Sequence, residues 1–262
     1  MDLIARLAAH IDQPGIDSDP ERDIVKLKPD ISQDEALAVQ LAVKRRRVAE
    51  GDRIAGHQAS FTSAAIQRLF PDAPIPMVGT LLGSQLRDSG AVVPLDAEEV
   101  FIESEMGVVL KRDLAGPDLC AAEIFAAIEG FLPAIEVAPL RPGVREQAYS
   151  WPHMIAVQKA SGGYVVLGSR ITAPTGFDPR LEGCVIEIDG EARAGATGFE
   201  AMGNPLAVVA AIARKLHAIG EHLHAGQLVI TGSLPPPQVV RAGNARADLH
   251  FATLGSVALR FT

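Results

Sequence analysis

Val100-Phe101-Ile102-Glu103-Ser104-Glu105-Met106-Gly107-Val108-Val109-Leu110 decides the reading of this chain. Strong β-formers at both ends predict a strand over 99–110. Side chains alternate along a strand, so Glu103 and Glu105 point to one face. Two carboxylates one pleat apart repel each other, and in an interior they need a cation between them. Ile102, Met106, Val108, Val109 and Leu110 argue for an interior strand, and Gly107 leaves space beside the acids. Glu136, in Pro133-Ala134-Ile135-Glu136-Val137, is a third carboxylate inside an apolar run. Three oxygen ligands from neighbouring strands suit Mg²⁺ or Mn²⁺. Surface glutamates on amphipathic strands would leave the same pattern, so both readings stand at this point.

On the N-terminal side the chain reads as helical. Leu3, Ile4 and Leu7 mark one face of a first helix, and residues 14–31, with Pro14, Pro20 and Pro29, read as loop. Ser32 and Glu35 form a capping box in sequence. Leu37, Leu41 and Val48 then recur at helical spacing, Lys44 to Arg47 read as a solvated helix end, and Gly51 is a natural stop. Towards the C-terminus strands dominate. A strand over 53–61 leads to a short helix from about Thr62 to Phe70, and a helix over 120–130 leads into 133–138. A strand is expected over 163–171, and Trp151 and His153 flank Pro152 in a loop. Asp189-Gly190 is the strongest hairpin signal. An amphipathic helix spans 204–224, with His217, His222 and His224 near its end. Strands are expected at 227–231, 245–252 and 256–261. Helices first and then strands around one long helix predict an α+β fold. No stretch has a linker's composition, so one structural domain is expected, with a helical region over 1–52 and a core over 53–262.

The 262 residues carry 24 Lys and Arg against 32 Asp and Glu, a net charge of −8. That balance argues against nucleic-acid or anionic-membrane partners, which need basic surface. Cys120 and Cys184 are far apart and outside any C-x-x-C pair, so neither a disulfide framework nor a zinc ribbon is indicated. No run approaches the roughly 18 apolar residues of a membrane span, which leaves a cytoplasmic protein as the expectation. A P-loop, a dinucleotide fingerprint, G-x-S-x-G and H-E-x-x-H are all missing from the sequence.

The elements FIESEMGVVLKRDL, PAIEV, SGGYVVLG, GNPLAVVAAIARKL, AGQLVITGSL and LGSVALRF follow in that order from about Arg53 to Thr262. In this succession the chain resembles the 2-keto-4-pentenoate hydratase and 4-oxalocrotonate decarboxylase family, within the fumarylacetoacetate-hydrolase-like fold. The resemblance implies an α+β architecture with a mixed β-roll or barrel core behind N-terminal helices. It implies a divalent metal on Glu103, Glu105 and Glu136, Mg²⁺ or Mn²⁺, which chelates a small-molecule 2-oxo acid and serves as a Lewis acid. It also implies a homo-oligomer.

Three departures from the family pattern alter the proton-transfer half of the site. In Gly56-His57-Gln58-Ala59-Ser60-Phe61-Thr62-Ser63, Gln58 stands where the family carries Lys. In Gly79-Thr80-Leu81-Leu82-Gly83-Ser84-Gln85, Ser84 stands where an acid is usual. Gln158-Lys159-Ala160-Ser161-Gly162 replaces an Asp-Asn element. Lys159 either supplies the missing amine or is a surface lysine at a strand entrance, and His57 points away from Gln58. Lys159, Gln58 and Ser84 are thus the catalytic candidates, with Ser60, Ser161 and Ser233 as substrate-binding hydroxyls. The leading expectation is a metal-dependent lyase of hydratase type on a 2-oxo acid or its dienol. Alternatives are a decarboxylase, a divergent lyase, isomerase or cyclase without the usual Lys, and a non-catalytic binding subunit of a related enzyme.

Overall fold

The structure, a computed structural model, describes residues 2–13, 23–69, 75–94, 99–158, 163–241 and 245–262. Helices α1 (Leu3–Ile11), α2 (Ile24–Leu27) and α3 (Gln33–Ala49) come first. Then follow β1 (Ile54–Ser60), α4 (Ala64–Leu69), β2 (Met77–Leu82), β3 (Leu86–Asp88) and β4 (Ala91–Val93). Two long strands, β5 (Glu99–Leu110) and β6 (Ile128–Pro139), enclose α5 (Ala121–Ala127). Short helices α6 (Pro142–Arg145) and α7 (Trp151–Val157) precede β7 (Tyr164–Leu167), β8 (Gly183–Ile188) and β9 (Glu191–Thr197). After α8 (Pro205–Ala218) come β10 (Leu228–Ile230), β11 (Gln238–Arg241), β12 (Arg246–Phe251) and β13 (Gly255–Phe261).

The strands form two sheets, and the fold is α+β. The larger runs β2-β1-β10-β5-β6-β7-β3, with β11 also on β5; the smaller runs β4-β13-β12-β8-β9. Strands β12 and β13 of the smaller sheet pack against β6. Phe131, Ile135, Val166, Ile186, Leu249 and Leu259 belong to the apolar core they share. Asp189 and Gly190 take φ of 53° and 81°, as a tight hairpin between right-twisted strands requires. Helix α8 packs on β1 and α5, burying Val208, Val209, Ile212 and Leu216. No helix among the described residues is long and apolar enough to cross a membrane.

Helices α1 and α3 share a second core with α7. The capping box forms as read, with Glu35 N–H donating to Ser32 Oγ and Ser32 N–H to Glu35 Oε2. The buried face of α3 differs from the expected one. It consists of Ala36, Val39 and Val43, while Leu37 and Val48 are exposed. Small side chains let α3 lie close to α1 and α7, so size rather than hydrophobicity sets the contact face. The basic run is also not simply solvated. Arg46 and Arg47 both pair with Asp12, which is 2% exposed at the end of α1, and Lys44 pairs with Glu221 at 2.6 Å.

Five further expectations are corrected. Helix α8 stops at Ala218, so His222 and His224 lie beyond it. Within 14–31, Ile24–Leu27 is helical, capped by Asp23. Strand β6 begins at Ile128, and β7 ends at Leu167. Trp151 and His153 begin a helix whose early Pro152 lacks only a donor that the first turn leaves unpaired anyway.

Candidate functional site

The register of β5 on β6 builds the acidic cluster. Glu103 lies directly opposite Glu136, and Glu105 lies opposite Ala134, whose methyl leaves room for the longer side chain. Glu105 and Glu136 are buried and Glu103 is half-buried. One carboxylate oxygen from each falls within 4.8 Å of the others. At an effective dielectric of about 20, two charges that close repel by roughly 3 kcal/mol.

The other edge of β5 is interrupted beside the acids. Strand β10 pairs with Gly107 to Val109 and β11 with Glu99 to Ile102, so neither covers 103–106. Residues 231–237 cross this gap. Thr231 N–H and Oγ both donate to Met106 O, and Leu234 N–H donates to Ser104 O at 2.9 Å. Gly232 N–H donates to Glu105 Oε2 at 2.7 Å. Gly232 has φ of +89°, and a Cβ there would sit 2.2 Å from Thr62 Oγ1. Glycine is thus required both by conformation and by space.

A cavity of about 580 Å³ opens over Glu103 and Glu136. Its apolar walls include Phe61, Met77, Phe101, Met154 and Val157, and its polar groups include Gln58, Ser60, Arg141, Gln158, Glu200 and Ser233. Phe61 is held edge-to-face against Trp151 at 5.0 Å. Gln58 is buried on β1 and donates from Nε2 to Glu136 Oε1 at 3.3 Å, while its Oε1 has no hydrogen-bond partner. That amide orientation is the one the network favours, since the reverse would set oxygen against carboxylate. Ser60 Oγ accepts from Gln58 Nε2 at 3.3 Å and from Gln158 Nε2 at 2.8 Å.

The other candidates distribute unevenly. Ser233 lines the cavity, but its hydroxyl donates to Pro235 O at 2.8 Å within the turn. Ser84 is exposed in a 3-10 turn after β2, bonded to Asp52, and does not line the cavity. Lys159 and Ser161 lie outside the described residues. His57 faces the opposite side of β1, where it lines a second cavity of about 240 Å³ between the sheet, α3 and α8. Burial pushes its pKa down to about 4, helped by Lys44 and His224 and opposed by Glu221.

Sequence reading missed Arg141 and Glu200. Arg141 is 6% exposed and lines the cavity five positions after Glu136. The available signal was a cation directly after an apolar strand that already carries one acid.

Residues 53–262 match the family described as fumarylacetoacetate (FAA) hydrolase, C-terminal. The chain belongs to the fumarylacetoacetate hydrolase family. Among its relatives, the TodF product hydratase of Pseudomonas putida strain F1 is 34% identical over 230 residues, 86% of this chain and 83% of that one. The 2-keto-4-pentenoate hydratase of Paraburkholderia xenovorans LB400 is 30% identical over 234 residues, 89% of this chain and 85% of that one. The 4-oxalocrotonate decarboxylase of Pseudomonas putida G7, solved with magnesium and adipate, superposes with a TM-score of 0.89 at 27% identity. That likeness covers 99% of this chain and 97% of the decarboxylase, so the fumarylacetoacetate hydrolase fold here includes the N-terminal helices.

Proposed function

We propose that this chain is a divalent-cation-dependent lyase acting on a small 2-oxo acid or its dienol, with hydration in the manner of 2-keto-4-pentenoate hydratase as its leading reaction. The observation that carries the reading is the convergence of three carboxylate oxygens within 4.8 Å beneath a cavity of about 580 Å³. An all-oxygen set fits a hard cation, Mg²⁺ or Mn²⁺, and such a cation offsets the repulsion among the acids. Glu103, Glu105 and Glu136 would hold it. When bound it supplies a Lewis acid for the paired oxygens of a 2-oxo acid.

The chain's own groups have separable tasks. Gln58 Nε2 holds the Glu136 carboxylate in place, while its Oε1 is buried without a hydrogen-bond partner. Ser60 Oγ already accepts two amide donors, which leaves its own O–H for a substrate oxygen. Arg141 brings a buried guanidinium to the cavity wall. A guanidinium there favours an acid with a second anionic group. Decarboxylation in the manner of 4-oxalocrotonate decarboxylase is therefore the second reading, supported also by the magnesium and adipate complex of the relative. Gln58 cannot exchange a proton near neutral pH. Proton delivery falls to water, to Lys159 or to another group at the cavity mouth. Cytoplasmic location and a homo-oligomeric state complete the proposal.

Turnover of 2-hydroxypenta-2,4-dienoate and of 2-oxo-3-hexenedioate, followed by loss of ultraviolet absorbance, tests it. Mg²⁺ or Mn²⁺ should support turnover and chelator should abolish it, with the product separating hydration from decarboxylation. Cation binding without turnover of either compound would instead favour a divergent substrate or a non-catalytic binding subunit.

A further inference from the structure

A second constellation lies outside the lining of both cavities, beside the second one, where the helix was expected to continue. Because α8 ends at Ala218, residues 222–224 are extended and form an antiparallel bridge with Leu114. Leu114 N–H donates to Leu223 O at 2.9 Å, and Leu223 N–H returns to Leu114 O at 3.1 Å. Leu223 is fully buried. Alternation in an extended segment then sends His222 and His224 to the same side, with ring centroids 4.0 Å apart. Asp113, next to Leu114, faces them. Its Oδ2 lies 3.6 Å from His222 Nε2 and 3.8 Å from His224 Nδ1. Its Oδ1 accepts Ala225 N–H at 2.7 Å, which fixes the carboxylate. His224 N–H in turn donates to Gln227 Oε1 at 2.9 Å.

We infer that Asp113, His222 and His224 form a binding site for a borderline divalent transition metal of the Zn²⁺, Ni²⁺ or Cu²⁺ class. Bonds of about 2.0–2.1 Å in tetrahedral geometry place donors about 3.3–3.4 Å apart, so the Asp113 carboxylate needs to close on each imidazole by only a few tenths of an ångström, and all three donors already lie within 4.8 Å of one another. Two imidazoles and one carboxylate select this class over Mg²⁺, which prefers an all-oxygen shell. The three side chains are partly exposed, so a cation enters directly and water completes its coordination. The two anchoring segments are tied by backbone bonds before any metal arrives, which limits the ordering that binding must impose. A bound cation would clamp residues 113–114 to 222–225.

The experiment uses the full chain, stripped with chelator and then saturated with Mg²⁺, titrated with Zn²⁺ by calorimetry and with Cu²⁺ by electron paramagnetic resonance. One zinc site is expected beyond any filled by Mg²⁺, with nitrogen hyperfine structure from two imidazoles on copper. His222→Ala and His224→Ala each remove one ligand of three and should weaken zinc by about a hundredfold or more, above the range for supporting groups, while Asp113→Asn, which keeps an oxygen, should weaken it by about tenfold. Glu105→Gln should leave this zinc site intact. A zinc isotherm unchanged in the His222→Ala/His224→Ala double variant overturns the assignment, as does loss of the site in Glu105→Gln. The substituted side chains are partly exposed, and circular dichroism of each variant checks that it folds.

Discussion

Gln58 and His57 are neighbours on β1, both buried, and they look into different cavities. On the Gln58 side three acids converge at the gap between β10 and β11. On the His57 side one imidazole is held neutral by burial in a mixed polar and apolar cavity, with a paired Lys44 and Glu221 on its wall. A buried titratable group can be tolerated through a compensating charge or by losing its own charge. The first solution creates a demand for a cation, and the second creates a sensitivity to acid. One strand thus carries a wall of converging acids on one side and a buried neutral imidazole on the other.

The largest effect should come from breaking the charge convergence. Glu105→Gln keeps an oxygen for the Gly232 N–H bond but removes the carboxylate charge. Loss of one of three ligands should weaken Mg²⁺ or Mn²⁺ by about a hundredfold or more, above the range seen when supporting groups are changed. Thermal unfolding with and without Mg²⁺ reads this directly. The wild-type midpoint should rise on adding the cation, and the variant's should not. The metal-free variant should be at least as stable as the metal-free parent, because less repulsion remains. A variant that keeps the full Mg²⁺ shift would remove Glu105 from the ligand set.

The opposite wall should respond to pH instead. The His57 pKa falls from 6.5 to about 4 on folding, chiefly through burial. Between those values the unfolded chain binds the extra proton, so stability falls as pH is lowered through this window. The contribution is complete above 6.5, and its loss approaches roughly 3 kcal/mol near the lower end. Lys44 and His224 deepen the effect and Glu221 opposes it. Urea midpoints across the window should slope in the parent and flatten in His57→Gln. Equal slopes would show that other groups set the acid limit.

The two walls were not equally legible. Strand alternation and the E-x-E spacing alone put Glu103 and Glu105 on one face, and Asp189-Gly190 forms the expected turn. These features are local, and backbone periodicity dictates them. Arg141 was hidden because only the tertiary path of the chain beyond β6 brings it to the cavity. The buried face of α3 was misread because Ala36, Val39 and Val43 win by size. Helix α8 was read too long because Leu223 kept the apolar period after the helix had ended, although it is buried from an extended segment. Ser84 is a catalytic candidate through motif position, yet its hydroxyl bonds Asp52 outside the cavity lining.

A sharper contrast comes from returning a titratable amine to the chemical wall. In Gln58→Lys the ammonium would replace an amide that lies 3.3 Å from Glu136 Oε1. Proton transfer by a positioned side chain contributes typically about 10²–10⁴-fold. Since the surrounding groups are set for Gln58, a gain of about tenfold in hydratase kcat is the expected outcome, below that range. A pH–rate profile acquiring a new limb would assign the gain to the lysine. Unchanged kcat with an unchanged profile would place proton delivery elsewhere on the cavity wall.

Ser84→Ala is expected to do least, and for that reason it tests the placement of the wall. The hydroxyl donates to Asp52, which also accepts the Ser84 and Arg53 backbone N–H groups. Asp52 therefore keeps two donors after the substitution. The lost bond is exposed, and such a bond is worth about 0.5–1.5 kcal/mol at most. Turnover and KM should match the parent, with a small drop in the urea midpoint. A fall in kcat without loss of stability would mean that Ser84 reaches substrate in the working enzyme. The 3-10 turn would then have to move towards β1, breaking the Asp52 bonds that now hold it against the start of that strand.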